Sequence, residues 1–144
     1  MILYNVQEPR STNQDKRWKD REFCLELFNK VLRVPIKEDD IKRFVRLGRV
    51  DSIQPGKARP VLIQFRDHIL KNMVMESVSK LKDADEKYSR IILTHDMATE
   101  DRDEYKRMVA EAKDKQKDEI SGEYIFRVKG APGNFRLLKI CKRY

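Results

Sequence analysis

The chain has 144 residues, of which 39% are charged, and its 32 Lys and Arg exceed its 24 Asp and Glu, for a formal net charge of +8. This length suits one domain or two small lobes, and the charged share is well above the usual value of about a quarter. No apolar run reaches the length of a membrane-spanning helix and no signal peptide is visible, so we expect an intracellular protein with reduced thiols.

The first part of the chain alternates strand and helix patterns. A strand pattern over 2–6 is followed by the helix-cap candidates in "STNQDK" and by apolar residues at helical spacing, which end at Pro35. Further strands are predicted over 41–47, 60–65 and 90–94, with a loop at Pro55-Gly56 and a second amphipathic helix over 67–82. The apolar stripes of the two helices are Cys24, Leu25, Phe28, Val31 and Leu32, and Leu70, Val74, Val78 and Leu81.

This order, β-α-β-β-α-β over residues 1–97, predicts an α+β fold of the ferredoxin-like, RRM type. Two helices would cover one face of a four-stranded antiparallel sheet and leave the other face free. Nucleic-acid-binding RRM domains use that free face. The same fold carries many other functions, so the arrangement alone does not decide between them.

Residues 98–144 predict a second, smaller lobe. A charged helix over 100–118 has a narrow apolar stripe, and the segment "GEYIFRVKGAPGNFRLLKI" alternates like a hairpin that turns at 131–134. The helix stripe consists of Tyr105, Met108, Val109 and Ala112. A helix and one hairpin bury little surface, so we expect this lobe to pack against the first and to form a cleft with it.

Positive charge is concentrated in two segments. Residues 41–66 contain seven Lys and Arg against one acid, and residues 124–144 contain six and no acid. In the hairpin, Arg127 and Lys129 alternate with Tyr124, Phe126 and Val128, which places the cations on one face and the apolar residues on the other. Clustered fixed charge attracts phosphates, so both segments indicate a polyanionic partner.

The residues that would support catalysis are absent or have a simpler explanation. Cys24 and Cys141 lie far apart and outside any zinc-binding motif, and we expect Cys24 to be a buried thiol. The acidic cluster within 100–104 resembles a metal site for phosphodiester cleavage, but acids in the first turn of a helix also complement its dipole, which we favour. No phosphate-binding glycine loop is present. We therefore expect no enzyme activity, metal or cofactor.

The stacking aromatics of RRM domains are poorly represented. The third strand ends in the apolar-x-aromatic sequence Ile63-Gln64-Phe65, but the upstream aromatic positions hold Pro60 and Leu62. Ile2 occupies the position of an aromatic on the first strand. Any nucleic acid should therefore be bound mainly by cations.

Four segments follow one another in a family-specific order: "RLGR" (46–49), "RPVLIQF" (59–65), "KLK" (80–82) and "ILTHDMATEDRDEYKRMVAEAK" (92–113). With this order and spacing the chain resembles the RNA-binding proteins encoded by the first open reading frame of LINE-type retrotransposons (transposase-22-like). The resemblance implies an atypical RRM with a C-terminal domain, single-strand RNA binding, nucleic-acid chaperone activity and trimerisation through an upstream coiled coil. A baculovirus family with a similar C-terminal region ranks second.

The chain departs from this family at two places. The family's Arg-Arg pair falls on Lys106-Arg107, which keeps the charge but loses one bidentate guanidinium. Ala98 occupies the family's Ser/Thr cap position and leaves Thr99 or Asp96 to cap the helix. The coiled coil is absent from this chain, so we expect the isolated chain to be a monomer, and a homotrimer only in a longer protein with an upstream coiled coil.

The function we favour is binding of single-stranded RNA, with single-stranded DNA as a second ligand, in a cytoplasmic ribonucleoprotein that also enters the nucleus. The candidate phosphate contacts are Arg46, Arg49, Lys57, Arg59, Lys106, Arg107, Arg127, Lys129 and Arg136. Arg46 and Arg59 have an alternative role, in ion pairs with acids at strand ends. The alternative function is an adaptor domain that binds an acidic protein partner, and a metal-dependent nuclease ranks third.

Overall fold

The computed structural model describes residues 1–10, 13–52, 54 and 56–143, and it divides into two compact units, Met1–Asp96 and Met97–Tyr144. The cap candidates Ser11 and Thr12, and Pro55 of the predicted loop, lie outside the described residues. The protein is a mixed α+β structure with antiparallel sheets, which confirms the predicted class.

The first unit is built on a four-stranded antiparallel sheet in the order β2-β3-β1-β4. Its strands are β1 (Ile2–Tyr4), β2 (Ile41–Arg46), β3 (Val61–Phe65) and β4 (Ile92–Thr94). Its helices are α1 (Asn13–Glu26), α2 (His68–Glu76) and the single turn α3 (Glu86–Ser89). Short 3-10 turns cover Glu38–Asp40, Val50–Ser52 and Val78–Asp83.

One face of this sheet carries the core. Leu3 is directly opposite Val61 on one side and Leu93 on the other, and all three are buried. Residues directly opposite in an antiparallel pair point to the same side, so this inner face continues through Ile63 and Phe65. The helix residues that pack on it include Cys24, Leu27, Phe28, Leu32, Val74 and Leu81. The predicted apolar stripes therefore form the core.

The outer face of the sheet carries the alternate residues. Ile2, Leu62, Val45 and Thr94 are half-buried there, and Tyr4, Ile92, Gln64 and Arg43 are exposed. Arg46 does not belong to this set. It is opposite Val61, and it therefore lies on the inner face.

The first helix ends in a form that the periodicity did not predict. It continues as a π-helical turn over Leu27–Val31, and Arg33 then adopts a left-handed conformation with φ 56°. The N–H of Val34 bonds the carbonyl of Phe28, which closes the helix end in the way a glycine usually permits. The Asn29 amide spans this bend and bonds the backbone of Ile36 in both directions.

The second unit consists of the helix α4 (Thr99–Asp118) and a hairpin of β5 (Tyr124–Lys129) and β6 (Arg136–Cys141). Ala98 stands at the N-cap and no side chain caps the helix, so neither Thr99 nor Asp96 takes the role considered above. Gln116 joins helix and hairpin, because its amide donates to the Tyr124 carbonyl and accepts from the Phe126 N–H. These two hydrogen bonds occupy the backbone edge of β5 that does not pair with β6.

The hairpin turn depends on Gly130. This residue has φ +114°, and a Cβ there would collide with the carbonyl oxygen of Asn134, a backbone atom that cannot move away cheaply. Gly133 in the same turn has φ +79° but open space around the position of a Cβ. Substitutions at the two glycines therefore distinguish the cost of a steric collision from the cost of backbone strain.

We predict that Gly130→Ala destabilises the second unit by about 2 kcal/mol or more, because collision adds to the strain of a positive φ. Gly133→Ala should cost about 1 kcal/mol, from strain alone. Hydrogen exchange of the β5 and β6 amides measures both losses. Equal protection in the two variants would contradict this account of the turn.

Candidate nucleic-acid interface

The guanidinium of Arg46 is buried and uses all five of its N–H groups. Nε and Nη2 bond the two carboxylate oxygens of Asp20 at 2.9 and 2.6 Å. Nη1 bonds the carbonyls of Val6 and Arg59, each at 2.7 Å, and Nη2 also bonds the Gln7 carbonyl at 3.0 Å. Only 8% of the Arg46 side chain and 5% of the Asp20 side chain are exposed. No donor remains for a phosphate.

Asp20 reaches this position because it lies on the buried side of α1, one turn before Cys24. The pair therefore links α1, the end of β2 and the chain segments that follow β1 and precede β3. A charge pair removed from water is stable only when its remaining hydrogen-bonding groups are also satisfied, and here the backbone carbonyls satisfy them.

Arg59 makes a second ion pair beside the first. Its Nε and Nη2 bond the Glu8 carboxylate at 3.1 and 2.9 Å, and its backbone N–H bonds the same carboxylate at 3.0 Å. These bonds from Arg59 lower the pKa of Glu8 to about 2. Both side chains are less than one-fifth exposed. Arg59 is held in place as a structural residue.

The predicted phosphate contact at Arg46 is therefore corrected, because no donor remains there, and Arg59 is already paired with Glu8. Both side chains have the alternative role considered from the sequence, ion pairing with acids. One of the two acids, Asp20, lies on a helix and not at a strand end. Of the other candidates in the first unit, Arg49 and Lys57 are exposed.

In the second unit the hairpin brings three predicted residues onto one face. Lys129 is directly opposite Arg136, and Arg127 is opposite Leu138. Because opposite residues share a face, Arg127, Lys129 and Arg136 form one cationic surface, which we call the hairpin face. All three are exposed, and no acid among the described residues forms an ion pair with them.

The helix lies against the other side of the hairpin. Phe135 immediately precedes β6, so alternation places it on the side of Leu137, and its ring contacts that of Tyr105 with centroids 5.2 Å apart. The half-buried Phe126 and Val128 share that side. The hairpin face therefore points away from α4.

Lys106 and Arg107 are exposed on α4, next to Tyr105. They do not belong to the hairpin face, because the hairpin separates them from it. The structure thus brings together three of the five cations predicted in this unit and leaves the helix pair as a separate group.

Sequence reasoning missed two residues that add apolar contact surface. Leu138 is 40% exposed and lies opposite Arg127 on the hairpin face. Tyr4 is 38% exposed and lies on the outer face of the first sheet, on the central strand β1. The alternation of faces along β6 and β1 is the signal that would have found both.

Other reactive groups offer little chemistry. Cys24 is fully buried, as predicted, and burial raises the pKa of its thiol to about 12. Among the described residues, no group of three or more His, Cys, Asp and Glu could hold a metal ion. In the part of the chain that the structure describes, no helix is both long enough and apolar enough to cross a membrane.

No protein-family model, curated protein or solved structure matches this chain.

We predict that Arg46→Lys lowers the free energy of unfolding by about 3 kcal/mol or more, because an ammonium cannot reproduce the five-bond fork and leaves Asp20 partly unpaired. The exposed pair Arg90–Glu86 provides the control, since Arg90→Lys there should cost less than about 0.5 kcal/mol. Urea unfolding measures both. Equal losses in the two variants would show that the burial of the Arg46 fork does not matter.

We predict that the stabilisation from Glu8 depends on pH. Its pKa is lower in the folded protein than the ordinary 4.5, so the contribution is complete above that value and is lost as the pH falls toward about 2. The difference in unfolding free energy between wild type and Glu8→Gln should therefore shrink through this window. A difference that stays constant with pH would contradict the ion pair.

Proposed function

We propose that this chain binds single-stranded nucleic acid, preferentially RNA, and that the hairpin face is the principal contact surface. The observation that carries the proposal is the direct opposition of Lys129 and Arg136 across two strands, with Arg127 beside them. Like charges directly opposite each other destabilise a sheet. A polyanion in contact with this face would remove the repulsion.

The chemistry of the hairpin face favours phosphates over a neutral ligand. The strands and turn around it contain no acid from Tyr124 to Cys141, so nothing on the hairpin itself repels a phosphate. Two arginines supply planar forks that match phosphate oxygens, and Lys129 adds a mobile point charge.

A single strand suits this surface better than a duplex. Leu138 is exposed among the cations, and Ile125 and Ile140 are half-buried on the same face. Unpaired bases and riboses can lie on such apolar patches while cations hold the backbone. Contacts of this kind position a strand without reading base edges, so binding should tolerate many sequences.

The first unit gives independent support for a nucleic-acid role. Its strand order β2-β3-β1-β4, with helices after β1 and β3, is compatible with the ferredoxin-like arrangement of RRM domains. With the resemblance to LINE-type proteins, it supports a ribonucleoprotein role, with chaperone activity in the cytoplasm and entry to the nucleus. Base stacking is the weaker contribution here, because Tyr4 is the one aromatic side chain on the outer face of the described strands.

The test is the double variant Lys129→Thr with Arg136→Thr. We predict at least tenfold weaker binding of a single-stranded RNA oligonucleotide, equivalent to about 1.4 kcal/mol. Thr keeps the strand propensity, and the loss of opposed like charges should leave the hairpin as stable or slightly more stable. Fluorescence anisotropy measures the affinity, and thermal unfolding measures the stability.

The control is Lys113→Ala with Lys117→Ala, which removes the same charge from the exposed later part of α4. Equal loss of affinity in both double variants would mean that net charge alone explains binding, and the proposal would fail. A polyglutamate competitor tests the adaptor alternative. If it displaces RNA as well as an RNA competitor does, the ligand is an acidic protein.

A further inference from the structure

A second cationic site lies in the first unit, in a pocket of about 400 Å³ at the edge of the outer face. Leu62 and Gln64 line it, and both point to the outer face of β3. Four side chains around it can carry positive charge: Arg43, Arg66, His68 and Lys71. Arg43, His68 and Lys71 are not among the phosphate contacts predicted from the sequence.

Three cations of this pocket, Arg43, Arg66 and Lys71, differ from Arg46 and Arg59 because no acid in the described part of the chain pairs with them, whereas His68 lies 3.8 Å from Asp67. Among the described residues, neither Arg43 nor Lys71 forms an ion pair or a side-chain hydrogen bond. The guanidinium of Arg66 donates only its Nε, to the Asp39 carbonyl at 2.6 Å, which fixes the plane of the group and leaves both Nη groups available.

Two acids also line the pocket, and one of them is already engaged. Asp67 accepts the Ile69 N–H at 2.8 Å and so caps α2. Asp96 lies more than 4 Å from any cationic nitrogen of the described residues, since it forms no ion pair. Arg43, Arg66 and Lys71 together leave the pocket with a positive excess.

The positive field extends beyond the pocket wall. The pKa of His95 is lowered, first by burial and then by the charge of Lys71, and its Nδ1 is buried without a hydrogen-bond partner. A neutral imidazole is therefore the form that tolerates this neighbour.

We propose that this pocket binds a phosphate group of the RNA strand, held by Arg43, Arg66 and Lys71, as a contact separate from the hairpin face. The inference rests on the proposed RNA binding. Arg66 is oriented by Asp39, so it can present both Nη groups to phosphate oxygens in a bidentate contact. Lys71 and Arg43 neutralise the remaining charge.

The position of the pocket sets what lies next to the phosphate. Leu62 continues from the pocket onto the outer face, where its neighbours across the strands are Ile2 and Val45. This apolar strip can accept a base or a ribose attached to the bound phosphate, without hydrogen bonds to base edges. The site therefore takes any nucleotide.

The test is the full chain with Arg43→Gln and Lys71→Gln, titrated with a single-stranded RNA oligonucleotide at several salt concentrations. The affinity should fall at least fivefold. The slope of log K against log salt should become shallower by about 1.4, because two phosphate contacts of a single strand contribute roughly 0.7 each. Arg17→Gln with Lys82→Gln is the matched control, since both residues are exposed, lie in the same unit and do not line this pocket.

The outcomes separate the two proposals. If wild type binds no RNA, the proposed function fails and this inference fails with it. If wild type binds and the hairpin-face variant loses affinity, but the pocket variant matches the control in affinity and slope, only the pocket proposal is overturned. Thermal unfolding of each variant excludes a folding defect, and Arg66→Lys, which keeps charge but loses the fork, should weaken binding in a folded protein.

Discussion

The buried fork of Arg46 is the constraint on which the first unit depends. One guanidinium meets the carboxylate of Asp20 and three backbone carbonyls, and it thereby joins a helix, a strand end and two connecting segments. Removing such a group would leave a buried carboxylate and several carbonyls unsatisfied at once. The Glu8–Arg59 pair extends the same network toward the surface. Two of the seven Lys and Arg in residues 41–66 are therefore structural.

The hairpin presents the opposite electrostatic arrangement. Lys129 and Arg136 meet across the strands without an acid, an arrangement that costs stability and that a core-forming hairpin has no need to keep. The paired Arg46 and Arg59 and the opposed cations of the hairpin thus show two roles for the same residue types. The difference lies in their partners, which composition does not reveal.

The periodic part of the structure was predictable. The α+β class, the core stripes through Phe28 and Val74, and the hairpin with its cationic face follow from apolar spacing and alternation. The choice between the two roles considered for Arg46 could not be made from the sequence, because its face depends on a strand register and on an acid 26 residues away. The π-helical turn before Arg33 was also missed, since periodicity assumes a regular helix.

The most direct measurement is amide chemical-shift mapping by NMR, with the ¹⁵N-labelled chain titrated with an unstructured single-stranded RNA. The account predicts that the largest changes in the second unit fall on Arg127, Lys129 and Arg136, with little change at Lys113 and Lys117. Changes spread evenly over all exposed Lys and Arg would contradict it, because they would indicate an unspecific response to net charge.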